Sequence, residues 1–245
     1  MRRKFLEAKA AIGARFPRLR AIYRKAYDRT ANWPRIAGFS LSSREAIFSK
    51  IYRENQWRDG ESRSGPGSNL AATEILRREM PLVFAELGVR TVLDAPCGDF
   101  RWMHDVAAGL DHYVGVDIVP ELISTLRSLH GSERQEFHVR DMTQDPLPRS
   151  DLIICRDCLV HLSEADALKA IGNFRRSGAK YLATTTFPEH EKNEDVVTGW
   201  WRPLNLERAP FGFPSPLKLI VETEQGGPSA KAIGVWQITD LPKSP

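Results

Sequence analysis

Between residues 91 and 186 the chain alternates short β-rich runs with helical stretches, and few folds accommodate that order. The β-rich runs are 91–95 (TVLDA), 112–117 (HYVGVD), 135–139 (QEFHV), 151–155 (DLIIC) and 180–186 (KYLATTT). Helical periodicity lies between them, near 99–109, 120–130 and 164–175. Strand, helix, strand in succession predicts right-handed βαβ units wound into a parallel sheet with helices on both faces. Two further strands, 218–223 (KLIVET) and 233–238 (IGVWQI), flank a loop with Gly226, Gly227 and Pro228. They read as an antiparallel hairpin closing the sheet at seven strands, so the expected class is a doubly wound, mostly parallel α/β fold.

The boundaries come from caps and composition. Ala71 to Leu87 carries apolar residues at helical spacing and ends at Gly88, a C-cap signal. Ser163 with Asp166 three residues on resembles a capping box, and Gly178 follows that helix's end. Residues 58–69 (RDGESRSGPGSN) read as a loop. The expected division is a basic helical extension over 1–40, a helix and Gly/Ser-rich lead-in over 41–69, and the catalytic domain over 70–245.

Charge is uneven along the chain. Residues 1–35 hold 11 Lys or Arg against Glu7 and Asp28, whereas the rest of the chain is net acidic although the whole carries +4. In the basic segment Phe5, Ile12, Phe16, Leu19, Tyr23 and Tyr27 recur near one helical face, with Pro17 as a bend. Three roles stay open for it: peripheral membrane contact, a solvated helix packed on its own domain, and a mitochondrial-type presequence. No run approaches the roughly 18 apolar residues of a membrane span, and no secretory signal is recognisable, so a cytoplasmic protein is expected. Cys97, Cys155 and Cys158 lack disulfide or zinc spacing and read as free thiols, with no metal set.

Open parallel sheets bind ligands beyond the carboxyl ends of their strands, where strand order reverses. The first strand runs into Asp94-Ala-Pro-Cys-Gly-Asp-Phe100, a turn with one glycine, Gly98, where a dinucleotide fingerprint has three. Asp117 ends the second strand 23 residues later, an offset suited to an acid accepting ribose hydroxyls. Asp141 follows the third strand, positioned for an adenine amino group, with the Met142 backbone against the ring. The fourth strand runs into Arg156 and Asp157.

The segments LDAPCGDFRWM, VGVDIVPELI, RDMTQDPLP and DLIICRDCLVHLS resemble, in order and spacing, motifs one to four of class I S-adenosylmethionine-dependent methyltransferases. The segment KYLATTTFPEHEKNEDVVTGWWRPLNLERAPFGFPSPL resembles one branch of that superfamily, and the likeness runs from about Ala46 to Asp240. It implies the Rossmann-like methyltransferase fold and S-adenosylmethionine as cofactor. Asp94 and the Cys97–Gly98 backbone would face the cofactor's amino acid end, Asp117 its ribose and Asp141 its adenine. The full expected cofactor set is Asp94, Pro96, Cys97, Gly98, Asp99, Trp102, Asp117, Ile118, Asp141, Met142 and Arg156. Pro96 and Phe100 stand where the commonest motif has glycines, and Pro96 takes an N–H out of the turn. A helix opening over 99–102 is expected to aim its free N–H groups at the methionine carboxylate.

The acceptor is less constrained. Residues 187–216 follow the fifth strand and are too long for a simple connection, so they read as a lid or substrate wall. Asn193, Asp195, Trp201, Arg202 and Asn205 are its candidate substrate residues, offering polar groups beside an aromatic face. His190 is the first candidate general base, with Glu189 and Asp157 as competitors. His161 reads instead as a packed histidine bracing the fourth strand. O-methylation of a small-molecule or glycan hydroxyl leads; nucleic-acid methylation is disfavoured for want of a recognisable RNA-binding module. A nucleotide-binding protein without turnover is the third reading. Oligomeric state has no sequence signal.

Overall fold

The computed structural model describes residues 38–222 and 230–243. Most of the basic extension and the Gly226-Gly227-Pro228 loop therefore lie outside the described residues. The chain divides into units 1–42 and 43–245. Of the first, 38–40 are helical and the Ser42 hydroxyl donates to the Gly38 carbonyl at 2.8 Å.

In the second unit α1 (Arg44–Arg53) and α2 (Glu74–Leu87) precede the alternating core. The core runs β1 (Thr91–Asp94), α3 (Met103–Ala107), β2 (His112–Asp117), α4 (Pro120–His130), β3 (Gln135–Val139), β4 (Leu152–Cys155), α5 (Glu164–Arg176) and β5 (Tyr181–Thr186). The hairpin strands β6 (Lys218–Val221) and β7 (Ala232–Gln237) complete one seven-stranded sheet. Its order is β3-β2-β1-β4-β5-β7-β6, with β7 antiparallel to both neighbours and every other pair parallel. This is the doubly wound, mostly parallel architecture expected of the Rossmann-like methyltransferase fold.

Sequence explains the centre of the sheet. β4 (LIIC) is buried at every residue, because a central parallel strand is covered on both faces and alternation disappears. Two apolar layers result: Met80, Phe84, Met103, Tyr113, Ile123 and Phe137 on one side; Ile171, Phe174, Leu204, Phe213 and Trp236 on the other. The caps fall as expected: Gly88 adopts φ 65°, and the Ser163 hydroxyl accepts the Asp166 N–H at 3.2 Å.

The 99–102 expectation is overturned. These residues form a turn, and α3 begins only at Met103 and is five residues long. The reason lies at Phe100, which takes φ 60°, a left-handed conformation that cannot open a right-handed helix. Its ring is driven into the core between Tyr113, at 4.8 Å between centroids, and Phe137, at 5.2 Å. Aromatic packing thus holds a glycine-like backbone where the sequence has no glycine.

Candidate functional site

Strand order reverses between β1 and β4, and a cavity opens beyond their carboxyl ends. All eleven residues of the expected cofactor set line it, from Asp94 through Arg156. Asp157 lines it too, together with Arg44, Phe48 and Tyr52 of α1, and Trp57, Arg63, Ser64 and Ser68 of the following loop. The lead-in segment is therefore a wall of the site, although its composition reads only as a connection.

Asp94 and Asp117 end β1 and β2 and are almost wholly buried. Burial lifts the Asp94 carboxyl to about 7, against the lowering effect of the Tyr113 hydroxyl, which donates to it at 2.8 Å; nearby Asp117 raises it further and Arg156 lowers it. Burial likewise lifts Asp117 to about 6 although backbone amides, including that of Val119 at 3.0 Å, point at it. In both carboxyls burial outweighs these partners, and a ligand that brings an ammonium and hydroxyl donors would add to them. These acceptors thus fit the ammonium and ribose hydroxyls of S-adenosylmethionine.

Asp141 is held differently. One oxygen accepts the Thr143 N–H and hydroxyl at 2.9 and 2.7 Å, and the other takes the Arg44 guanidinium at 2.8 Å. Arg44 also pairs with Asp166 at 3.1 Å, so α1 is strapped over the third strand's end.

At the far end, Arg156 is buried in a four-charge cluster. It meets Asp157 at 3.3 Å and Glu222 at 2.5 Å, and Lys231 meets the same two acids at 2.7 and 3.1 Å. Arg156 and Lys231 hold the Asp157 carboxyl below its usual range despite burial. Two cations and two anions balance, although the buried Arg156 Nε and one Glu222 carboxylate oxygen find no hydrogen-bond partner. Asp157 is thereby committed, in a left-handed conformation with φ 50°.

His161 lines the cavity, a placement its apolar sequence setting hides. Its Nδ1 lies 3.1 Å from the Trp200 carbonyl oxygen, which can only accept, so Nδ1 carries the proton and Nε2 is the basic nitrogen of the neutral ring. Burial pushes its pKa down, with Asp157 opposing, which keeps the ring neutral near pH 7.

The other acceptor-side candidates do not reach the cavity. Glu189 is exposed, and His190 sits in a turn whose carbonyl accepts the Asn205 side chain at 3.0 Å. Asn205 also donates to the Pro188 carbonyl at 2.7 Å. Asn193 donates to the Asn205 and Ala209 carbonyls, each at 2.9 Å, and Asp195 accepts the Glu164 N–H at 2.7 Å. Arg202 is buried, donating to the Leu159 and Val160 carbonyls at 3.1 and 3.2 Å. Trp201 is half exposed, edge-on to Phe187. The physical reason is packing: Leu204, Leu206, Phe211 and Phe213 sink 187–216 into the core, and its polar side chains satisfy the irregular backbone that follows them down. Its contribution to the site is the Trp200 carbonyl.

Residues 92–179 match the family model described as "Methyltransferase domain". Among solved structures, magnesium protoporphyrin IX methyltransferase from Synechocystis PCC 6803 with bound S-adenosylmethionine aligns at a TM-score of 0.55 and 13% identity, covering 80% of this chain and 97% of that one. A Burkholderia thailandensis 1,6-didemethyltoxoflavin-N1-methyltransferase aligns at 0.52 and 16%, covering 79% and 86%. The N-methyltransferase NodS from Bradyrhizobium japonicum WM9, with S-adenosylhomocysteine, aligns at 0.53 and 15%, covering 76% and 97%. No curated protein sequence matches.

Proposed function

Residues 92–179 matching a methyltransferase-domain model, we propose that the chain uses S-adenosylmethionine to methylate a hydroxyl of a small-molecule acceptor, with His161 as the proton acceptor. The observation that carries the hydroxyl reading is the tautomer of His161: a ring whose Nδ1–H donates to a backbone carbonyl has Nε2 as its basic nitrogen for the proton of an alcohol. The structural neighbours named above include methyltransferases acting on a porphyrin and on a toxoflavin precursor, which supports an acceptor of small-molecule size.

When bound, S-adenosylmethionine supplies a methyl group activated on sulfur. The chain's own task is placement and proton handling. Asp94, Asp117 and Asp141, in order along the sheet edge, would hold the cofactor's amino acid, ribose and adenine parts, and the β4 side of the cavity would then be left for the acceptor. Trp57 stands 5.4 Å from the His161 ring and walls that end with an aromatic face, suited to a sugar or a planar ring alike. His161 accepts the hydroxyl proton at Nε2. The resulting imidazolium is stabilised by the Trp200 carbonyl and by the Asp157 charge, both of which favour the protonated ring. Of the acceptor candidates in the sequence, this reading keeps Asp157 as a supporting charge and leaves His190 and Glu189 to the structural loop.

The test is an acceptor screen with tritiated S-adenosylmethionine against hydroxyl- and amine-bearing small molecules, run on wild type and His161→Asn. Labelled hydroxyl products, with turnover down about 100-fold in the variant and S-adenosylhomocysteine affinity unchanged, are expected. Labelling of amines alone, or full turnover by His161→Asn, would sink the hydroxyl reading.

A further inference from the structure

The first strand-to-helix turn normally holds an anionic ligand group through free backbone N–H groups. Here none is free. The Ala95 N–H donates to the Ile154 carbonyl at 2.8 Å and the Cys97 N–H to the Val116 carbonyl at 2.8 Å. Pro96 has no N–H. The Gly98 amide is turned to the Asp117 carboxylate, and the Phe100 N–H closes on the Cys97 carbonyl at 3.2 Å. The Asp99 N–H donates to the Ser64 hydroxyl at 2.9 Å, and the Arg101 N–H to the Asp99 carboxylate at 3.3 Å. α3 is only five residues long and opens at Met103, beyond this turn.

The loop at 59–68 fills this gap. Asp99 accepts the Ser62 hydroxyl and the Arg63 N–H, each at 2.8 Å, which seats the loop on the turn. Ser64 sits so close over Gly98 that a Cβ there would collide with its hydroxyl, and Gly98 needs its φ of 52° besides. The seating brings Arg63 into the cavity wall, its backbone N–H held on the Asp99 carboxylate of the first turn. Among the described residues four guanidinium groups line the cavity: Arg44 and Arg156 are each neutralised by two carboxylates, and Arg140 follows β3, two strands from the β1 turn, where it donates to the Val139 carbonyl at 3.2 Å. Arg63 lies over the Tyr52 ring at 5.7 Å and donates to the Tyr52 carbonyl at 3.3 Å, contacts that position a cation without cancelling its charge.

We infer that Arg63 is the clamp for the carboxylate of the cofactor's amino acid end, doing with a side chain what the consumed amides of the turn cannot. The Asp94 carboxyl and the Arg63 guanidinium then bracket a zwitterion, the acid for the ammonium and the cation for the carboxylate. The clamp rests on the cofactor, not on the hydroxyl acceptor, and either can fail without the other.

Titration calorimetry with S-adenosylhomocysteine and with 5′-methylthioadenosine, which lacks the amino acid part, tests the clamp on wild type, Arg63→Met and Arg63→Lys. Arg63→Met should weaken S-adenosylhomocysteine by about 10- to 100-fold while leaving 5′-methylthioadenosine unchanged, and Arg63→Lys should recover part of the loss. Unchanged S-adenosylhomocysteine affinity in Arg63→Met overturns the clamp, as does an equal loss for both ligands, which would mark a merely structural loop residue. Failure of both ligands to bind wild type would overturn the cofactor assignment and the clamp with it.

Discussion

Asp94→Asn should stabilise this protein while disabling it, and the size of the effect follows from one carboxyl. Burial raises Asp94 from 3.8 to about 7 in the folded state. Between those values the folded chain holds a proton that the unfolded chain has released, so stability falls as pH rises through that window. At about 1.4 kcal/mol per pKa unit the full penalty above pH 7 is about 4 kcal/mol, and about 2 to 3 of it develops between pH 5 and pH 8. Asparagine carries no such charge, and its amide oxygen still accepts the Tyr113 hydroxyl. Urea denaturation of both proteins from pH 5 to pH 8 should therefore show the variant gaining on wild type by about 2 to 3 kcal/mol across the range. The same substitution removes the partner of the cofactor's ammonium. Wild-type affinity for S-adenosylhomocysteine should rise about tenfold from pH 6 to pH 8 as Asp94 ionises, and that rise should vanish in Asp94→Asn. A stability difference that is flat with pH would refute the reasoning, because it would mean that Asp94 is already ionised at pH 5.

Two further substitutions probe the frame around the site. Gly234 of β7 lies under the Trp236 ring, which a Cβ would strike, and that ring is anchored by its Nε1–H to the Pro214 carbonyl at 2.7 Å; Gly234→Ala should cost about 2 to 3 kcal/mol in urea denaturation, and a cost under about 0.5 would show that the ring is free to shift. Asn205→Ala orphans the Pro188 and His190 carbonyls and the Glu207 N–H, so it should cost about 2 to 3 kcal/mol and open 187–216 to limited proteolysis, whereas a loop as resistant as wild type would mean that its apolar anchors suffice.

Much of the cavity's sheet-edge wall was legible in the linear chain because it depends on local rules. β-rich runs and capped helices announce βαβ units, such units bind ligands at strand ends, and the acids at those ends could be numbered in advance as Asp94, Asp117 and Asp141. The end of the cavity proposed for the acceptor was not legible, because its lining is set by contacts distant in sequence. His161 looks like a packed residue until the Trp200 carbonyl, 39 positions away, assigns its proton. Asn193, Asp195, Arg202 and Asn205 look like substrate contacts until four apolar residues carry their backbone into the core and claim their hydrogen bonds. Arg63, in a stretch whose composition says only loop, becomes a wall of the site because Asp99 folds that stretch over the first turn.

What the sequence alone determined is the order of elements, the winding of the sheet and the acids at its edge, since periodicity, capping and burial on two faces act over a few residues at a time. Only tertiary structure decided which polar groups stay available to a ligand. Each donor or acceptor buried by folding must find a partner, and whether a neighbour or a ligand provides it depends on what the fold brings within 3 Å.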